Sequence, residues 1–359
     1  MIHPTAVLLP LVALSCLAAP AGSRGTRLTV EVSAAGVERH DRPVEVEVQV
    51  KDGPGVSVAE VNRKGEVLDG SVPCQFDHGT LVFLMKGTTA ADATRFYRAT
   101  FGEAAPVTPL VTATDDVPFR GQAGIKIATP SATYHYHKAG AGFAAMEDRD
   151  GNDWLGYQPS GGSAGNYRGI PNAVHPEGHF HPGGTTCTST LVSRGPIRAR
   201  ILSESNDRKW ACAWDIFPGS ARLTVLRKDK PYWFLYEGTP GGKLDPEKDY
   251  VVRSNGERSS AAAKWTGDIA GPEWLYFGDG KLDRVLFLAH HEEDEKVDSY
   301  WPMEGNMTVF GFGRDGLTKH LDTVPQRFTV GFRETSDFAG VSKEVRSSTR
   351  DLVVKVAAR

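Results

Sequence analysis

The sequence is poor in cysteine, and its charges are nearly balanced. It has 4 cysteines in 359 residues, so a hydrophobic core rather than a disulfide framework must hold the fold. With 41 basic and 44 acidic side chains the net charge is −3, so we expect no nucleic-acid partner. Beyond the N-terminus no apolar run is long enough to cross a bilayer as a helix, and we expect no transmembrane segment.

The first residues have the features of a secretory signal peptide. The run 6–19 is apolar apart from Pro10 and Ser15, and it is too short to span a membrane. Small residues at 19–21 fit the cleavage rule and make Gly22 the first mature residue. We therefore expect a secreted or periplasmic protein. Lipid anchoring through Cys16 is the less favoured alternative.

The other three cysteines, Cys74, Cys187 and Cys212, are an odd number, so at most one disulfide can form. A predicted strand at 197–204 separates the strands of Cys187 and Cys212. If these three strands form a meander, the outer two lie roughly 9 to 10 Å apart, beyond disulfide reach. We predict free, buried thiols.

Short runs rich in Val, Ile, Thr and aromatic residues recur between Gly, Pro, Asp and Asn, a pattern typical of β-sandwiches and barrels. Helical periodicity is convincing only at 338–354, where Val341, Val345 and Leu352 share a face. All 7 Trp and eight of the 11 His lie beyond residue 120. We predict an all-β protein: a signal peptide (1–21), a small N-terminal β-domain (22–119), and a large antiparallel β-sandwich (120–359) of supersandwich or jelly-roll type with a short C-terminal helix.

One hairpin carries a resemblance to a known family. The glycine-led run 142–146, followed by the acidic turn and tryptophan at 148–154, resembles the early hairpin of galactose-mutarotase-like β-supersandwich proteins. The blocks 167–172, 232–242 and 307–314 are similar to runs in uncharacterised secreted bacterial proteins that accompany glycan-degradation systems. The resemblance implies a supersandwich fold and a carbohydrate-related setting. It transfers no catalytic residue.

Two His-x-His elements stand out, His135 with His137 and His179 with His181. On a strand, residues two apart point to the same face, roughly 6.5 to 7 Å apart. Each pair is therefore a candidate for acid/base catalysis, because the pKa of histidine lies near neutral pH. The second pair is also a candidate for binding a divalent metal. The alternative is that these histidines hydrogen-bond loops. The further metal donors that we consider are His175, Glu177, Glu237, His290 and His291.

Glu237 ends an aromatic strand just before the glycine-rich segment 238–242. A carboxylate there would stand at a cleft mouth, and Trp233 beside it would stack on a sugar ring. The alternative is a solvated glutamate that ends a core strand.

Tyr157, Tyr167 and Arg168 flank a Gly- and Ser-rich loop, 158–166, which we expect to cover a site. Breaking a uronic-acid polymer by β-elimination needs a cation for the carboxylate, a base and an acid. Arg168, a histidine and a tyrosine fit these roles. The alternative for Arg168 is a salt bridge within the loop.

These patterns predict a secreted carbohydrate-active enzyme that cleaves a polysaccharide or oligosaccharide, either by β-elimination at a uronic acid or as a glycoside hydrolase using Glu237. A non-catalytic glycan-binding module and a structural component of the cell envelope are the alternatives. The candidate catalytic residues are His135, His137, Tyr167, Arg168, His179, His181, Glu237 and His290, where His290 faces inward if Leu286 and Leu288 are core residues. The candidate sugar-contacting residues are Trp154, Tyr157, Trp233 and Trp301.

Overall fold

The computed structural model describes residues 26–50, 55–102, 104–176 and 178–358. The predictions for the signal peptide, Cys16 and Glu177 concern residues outside these ranges. The described chain consists mainly of antiparallel β-sheets with two short α-helices and a 3-10 turn at Pro240–Gly242, which confirms the all-β prediction. The longer helix has 12 residues, and no described helix is long and apolar enough to cross a bilayer.

The first seven strands form a small sandwich. Strands β1, β7, β3 and β4 lie in one sheet and β2, β6 and β5 in the other. Alternate residues of each strand point into its core, for example Val30, Val44, Phe83 and Tyr97. The strands are β1 (Arg27–Ser33), β2 (Arg39–Glu47), β3 (Val56–Val61), β4 (Val67–Val72), β5 (Cys74–Asp77), β6 (Thr80–Thr89) and β7 (Thr94–Phe101).

A four-stranded meander follows, made of β8 (Thr112–Phe119), β9 (Gln122–Ala128), β10 (Ala132–His137) and β11 (Gly142–Asp148). The predicted acidic turn comes directly after β11. Its geometry comes from Asp148, whose Oδ1 accepts from the Asp150 and Asn152 backbone nitrogens at 2.9 and 3.0 Å, while Gly151 takes a φ of +84°.

The rest of the chain builds two further sheets. A nine-stranded sheet has the order β12-β13-β14-β15-β26-β21-β20-β17-β18, and a four-stranded sheet has the order β16-β23-β22-β19; β24 and β25 form a short ribbon. The elements are α1 (Gly162–Asn166), β12 (Cys187–Arg194), β13 (Ala199–Ser205), β14 (Ala211–Phe217), β15 (Ser220–Arg227), β16 (Phe234–Gly238), β17 (Tyr250–Arg253), β18 (Arg258–Ser260), β19 (Trp265–Gly267), β20 (Trp274–Gly278), β21 (Val285–His290), β22 (Asp298–Met303), β23 (Met307–Phe312), β24 (Arg314–Asp315), β25 (Thr318–Lys319), β26 (Gln326–Arg333), α2 (Phe338–Thr349) and β27 (Val353–Ala358).

Residues 169–173 connect the meander to the four-stranded sheet. The Phe143 nitrogen donates to Ile170 O at 2.8 Å on one side, and the Glu237 nitrogen donates to Gly169 O at 3.0 Å on the other. The two sheets therefore act as one layer, which packs face to face on the nine-stranded sheet. Phe143 touches Trp214 across this large core, with ring centroids 4.6 Å apart. This is the predicted large antiparallel sandwich.

The C-terminal helix is shorter than predicted, because α2 ends at Thr349. Arg39 donates to the carbonyl oxygens of Ser347, Arg350 and Asp351 at 3.0, 2.7 and 2.9 Å, and so satisfies backbone groups where the helix stops. The helix packs on the outer face of the nine-stranded sheet rather than on an edge, with Val341 buried in that contact. The chain then returns to the small sandwich, where β27 pairs with β1.

The described cysteines, Cys74, Cys187 and Cys212, are free and buried, as predicted. Strand β13 lies between β12, which carries Cys187, and β14, which carries Cys212.

Candidate functional site

The candidate site is built on the outer face of β16, β23 and β22. Strand alternation sends Tyr236 and Phe310 into the core and leaves Glu237, Val309 and Trp301 on the opposite face. The register places Glu237 opposite Val309, and Val309 opposite Trp301. These three residues form one cross-strand row, the Glu237 row, which spans about 9 to 10 Å.

The Glu237 carboxyl is buried, with the residue only 5% exposed. The Asn172 side-chain nitrogen donates a short hydrogen bond to its Oε2, and Arg314 attracts its charge. Burial outweighs both effects and raises the pKa of Glu237 to about 8. The group therefore holds a proton at neutral pH that it can give away.

The Arg314 side chain packs over Gly311 on the same outer face as Glu237. Its Nη1 donates to Ser299 Oγ at 2.9 Å, and a Cβ at Gly311 would lie 2.9 Å from the Arg314 Cβ. A larger residue at Gly311 would collide with the arginine. The guanidinium is buried, so it is the cation placed to stabilise Glu237 once the carboxyl is ionised.

An aromatic patch borders the row. Tyr167, Trp301 and Met303 are half-buried and pack against the buried Met307 and Val309. Ala164 of α1 joins the same cluster. The loop predicted to cover a site thus lies against this face.

A neutral histidine lies next to the patch. The ring centroid of His181 is 5.6 Å from that of Tyr167, and its Nδ1 is 2.5 Å from Pro182 O. Because a carbonyl can only accept, Nδ1 carries the proton. Burial lowers the pKa of His181 to about 4, and its buried Nε2 has no hydrogen-bond partner among the described residues. Nε2 is therefore a free lone pair, as a proton acceptor requires.

The first predicted histidine pair, His135 and His137, points to one face as expected, but contacts within the fold hold both rings. His137 Nε2 lies 3.0 Å from Phe119 O, and the Gly183 nitrogen donates to its Nδ1 at 3.0 Å, so both ring nitrogens are used. Burial lowers its pKa to about 4. His135 stacks on Phe119 at 4.2 Å between centroids. Tyr157 is nearly buried and meets the His137 ring edge-on at 5.1 Å.

Arg168 does not have the predicted role of a free cation. It donates to three backbone carbonyls, Ala164 O at 2.8 Å, Gly156 O at 3.3 Å and Asn306 O at 3.1 Å. These contacts hold the loop against the start of β23, so the guanidinium is not free to bind a substrate carboxylate. A loop salt bridge, the alternative, is not what the described residues form either.

Two predicted sugar-contacting tryptophans belong to the interior. Trp154 is fully buried and donates through Nε1 to Asp148 Oδ2 at 3.0 Å. Trp233 is also buried and donates to Asn172 O at 2.8 Å. Neither ring face can receive a sugar, so these two predictions were wrong. Trp301 is half-buried, and Lys264 Nζ lies over its ring at 5.6 Å from the centroid.

His290 faces inward as strand parity predicted, since Leu286 and Leu288 are core residues. Its ring stacks on Phe328 at 4.7 Å, and its Nδ1 lies 2.6 Å from Glu273 Oε2. It is thus a core histidine on the nine-stranded sheet, away from the Glu237 row.

Metal-donor atoms do come together beside His290. Glu273, His290 and Asp294 offer ligand atoms within 4.8 Å of one another, the only such group of three in the described ranges. His290 was among the predicted further donors, but the predicted pair lies elsewhere: His179 Nδ1 contacts Thr186 Oγ1 at 2.9 Å, and His181 contacts Pro182.

The sequence reasoning missed Asn172 and Arg314, the two polar neighbours of Glu237. A signal for them existed, because Asn172 ends the block 167–172 and Arg314 ends the block 307–314. Both blocks carry the resemblance to secreted bacterial proteins, but that resemblance implies no role for these two residues.

No protein-family model and no curated protein matches the sequence. The solved structures that are distantly similar include the following three. HI1317 is 12% identical with a TM-score of 0.44, and the match covers 64% of this chain and 98% of that one. A galactose mutarotase related enzyme from Lactobacillus acidophilus is 11% identical with a TM-score of 0.39, over 60% and 98% of the two chains. The YidC insertase is 13% identical with a TM-score of 0.35, over 66% and 45%. No residue role is transferred from them.

Proposed function

We propose that this protein is a carbohydrate-active enzyme in which Glu237 donates a proton to the leaving oxygen of a glycan. The observation that supports it is the Glu237 row, where a buried carboxyl held by Asn172 lies two strands from the half-buried ring of Trp301. Sugars present an apolar ring face and a polar bridging oxygen, so an aromatic ring beside a proton donor suits them.

His181 fits the complementary role of a base. It is neutral with a free Nε2, and Tyr167 contacts both its ring and the aromatic patch. An acid and a base whose environments move their pKa values in opposite directions are typical of acid/base catalysis. Arg314 would stabilise the Glu237 carboxylate after proton transfer.

This pair suits hydrolysis, in which His181 would take a proton from water. β-Elimination would use the same pair, with His181 taking the proton from the carbon next to a uronate carboxylate, but it also needs a cation for that carboxylate, and Arg168 is held by backbone carbonyls. We also propose that the protein is secreted or periplasmic, as the N-terminal residues indicate.

The test is digestion of a broad panel of neutral and uronate-containing glycans by the purified protein, read by mass spectrometry, with and without a chelator. We expect one glycan class to be cleaved, with hydrated ends after hydrolysis and unsaturated ends after β-elimination. An unchanged panel would overturn the proposed activity, and glycan affinity without products would favour a binding module.

Variants then test the role of Glu237. Glu237→Gln keeps an oxygen for Asn172 but cannot donate a proton, so we expect activity to fall about 10²- to 10⁴-fold with glycan affinity retained. The matched control is Glu247→Gln, an exposed glutamate, which should keep full activity. Wild-type turnover in Glu237→Gln would refute the role.

A further inference from the structure

A charged cavity of about 520 Å³ lies between strand β2 of the small sandwich and the nine-stranded sheet, on the side that faces away from the large core. Its walls carry more arginines than acids, although the chain as a whole is slightly acidic. The arginines are Arg42, Arg198, Arg200, Arg222 and Arg327, and the acids are Glu45, Glu47, Asp215 and Asp351.

Two carboxylates of the cavity, Glu45 on β2 and Asp215 on β14, are already engaged by arginines of the nine-stranded sheet. Arg222 Nη2 lies 2.7 Å from Glu45 Oε2 and 3.3 Å from Asp215 Oδ2. Arg198 also contacts Glu45, at 3.2 Å, and Arg200 contacts Asp215, at 3.4 Å. Each of these acids thus serves two or more cations.

Arg327 has its own partners at the mouth of the cavity. Its guanidinium contacts Glu292 at 2.7 Å and Asp351 at 3.1 Å. Four of the five arginines are therefore paired.

Arg42 is the exception. It forms no hydrogen bond or ion pair with a described residue, and its Nε is buried without a partner, while the residue as a whole is half-buried. Burial and repulsion from Arg222 and Arg39 lower the pKa of Arg42 to about 10, and the weaker attraction of Glu45 and Asp351 does not offset them. A desolvated cation beside like charges is unfavourable unless an anion compensates it.

Local backbone geometry holds Arg42 there. The pairing of β2 with β6 shifts register between His40 and Arg42, and Asp41 takes a φ of +41°. The Asp41 carboxylate accepts from the Gly87 nitrogen at 2.8 Å, which fixes the bulge.

We propose that this cavity binds an oxyanion group, such as sulfate, phosphate or the carboxylate of an acidic sugar, through the guanidinium of Arg42. A guanidinium offers a planar fork of donors that matches such oxygens. The site is independent of the Glu237 row, because the cavity lies on the outer face of the nine-stranded sheet, whereas the row lies on the outer face of the four-stranded sheet in the other layer.

The test is calorimetric titration and thermal denaturation of the full chain with sodium sulfate and sodium phosphate, against sodium chloride at equal ionic strength. We expect sulfate or phosphate to bind and to raise Tm where chloride does not. Glucuronate and a sulfated oligosaccharide form the second arm, with glucose as the neutral control. Tighter binding of the acidic sugars than of the free anions would identify a glycan as the source of the oxyanion.

Arg42→Met retains the length of the side chain and removes its charge. We expect at least about tenfold weaker oxyanion binding and, without the anion, a Tm no lower than that of the wild type, because the uncompensated cation is gone. Arg63→Met, exposed on the same sandwich, is the control and should bind as the wild type does. Absence of oxyanion binding by the wild type, or unchanged binding by Arg42→Met, would overturn the proposal.

Discussion

Among the single residues, Glu237 has the most unusual setting. Its carboxyl lies on a strand face that α1 and the preceding loop cover, and its partners, Asn172 and Arg314, come from distant parts of the chain. Burial favours the neutral form of a carboxylic acid more than these two partners favour the charged form. The same balance that prepares the group for proton donation also makes its ionisation costly for the fold.

That cost gives a prediction about stability. The folded protein keeps the Glu237 proton up to about pH 8, whereas the unfolded chain loses it near its ordinary value of about 4.3, so unfolding is increasingly favoured as pH rises between the two values. Glu237→Gln has no such proton. We expect the variant to gain stability relative to the wild type as pH rises from about 5 to about 9.

Urea denaturation at several pH values measures this difference. The pKa of Asp298 is also raised, to about 8, but that residue is present in both proteins and cancels in the comparison. Parallel stability curves for the wild type and the variant would contradict a buried, protonated Glu237.

Among the elements, α2 is capped at its two ends by different side chains. At its start Asp337 accepts from the Gly340 nitrogen at 2.8 Å, the usual N-cap contact. At its end the guanidinium of Arg39, from the small sandwich, binds the carbonyls of residues 347, 350 and 351. The start is local, and the end depends on a residue of the small sandwich.

Asp337→Ala removes the N-cap hydrogen bond. Because an unfilled N-cap leaves a backbone N–H without its partner, we expect a loss of about 0.5 to 2 kcal/mol in the free energy of unfolding, measured by chemical denaturation. Asp92→Ala, an exposed turn residue, serves as the control and should change stability by less than about 0.5 kcal/mol. Equal effects of the two substitutions would argue against the cap.

For the whole molecule, the path of the chain matters most. The last strand crosses back to the first, so that Val354 lies opposite Val32 and Val356 opposite Val30. Val354 and Val356 pack on the core of the small sandwich. The first and last described strands therefore belong to one sheet, although most of the sequence separates them.

Ending the chain after Leu352 should uncover the edge of β1. We expect a loss of about 2 to 4 kcal/mol from the contacts of the half-buried Val354 and Val356, a lower Tm and more aggregation, because an open strand edge can pair with other chains. Thermal denaturation with light scattering measures both effects. Lys355→Ala keeps the strand and is the control; a truncated chain as stable as this control would contradict the prediction.

Several features followed from the sequence alone because their causes are local. Alternation of apolar residues predicted the strands, and Gly151 behind an acidic run predicted the turn after β11. The strand expected between those of Cys187 and Cys212 predicted free thiols. Parity along β21 predicted that His290 faces inward.

The tertiary structure alone decided which polar side chains remain free to act. Arg168 is occupied by Asn306 O and His137 by the Gly183 nitrogen, partners that lie far from them along the chain. Glu237 is held by Asn172 while Arg42 has no described partner, and no local pattern distinguishes the two cases. The physical reason is that strand and turn formation depend on neighbours in sequence, whereas desolvation and hydrogen-bond pairing depend on neighbours in space.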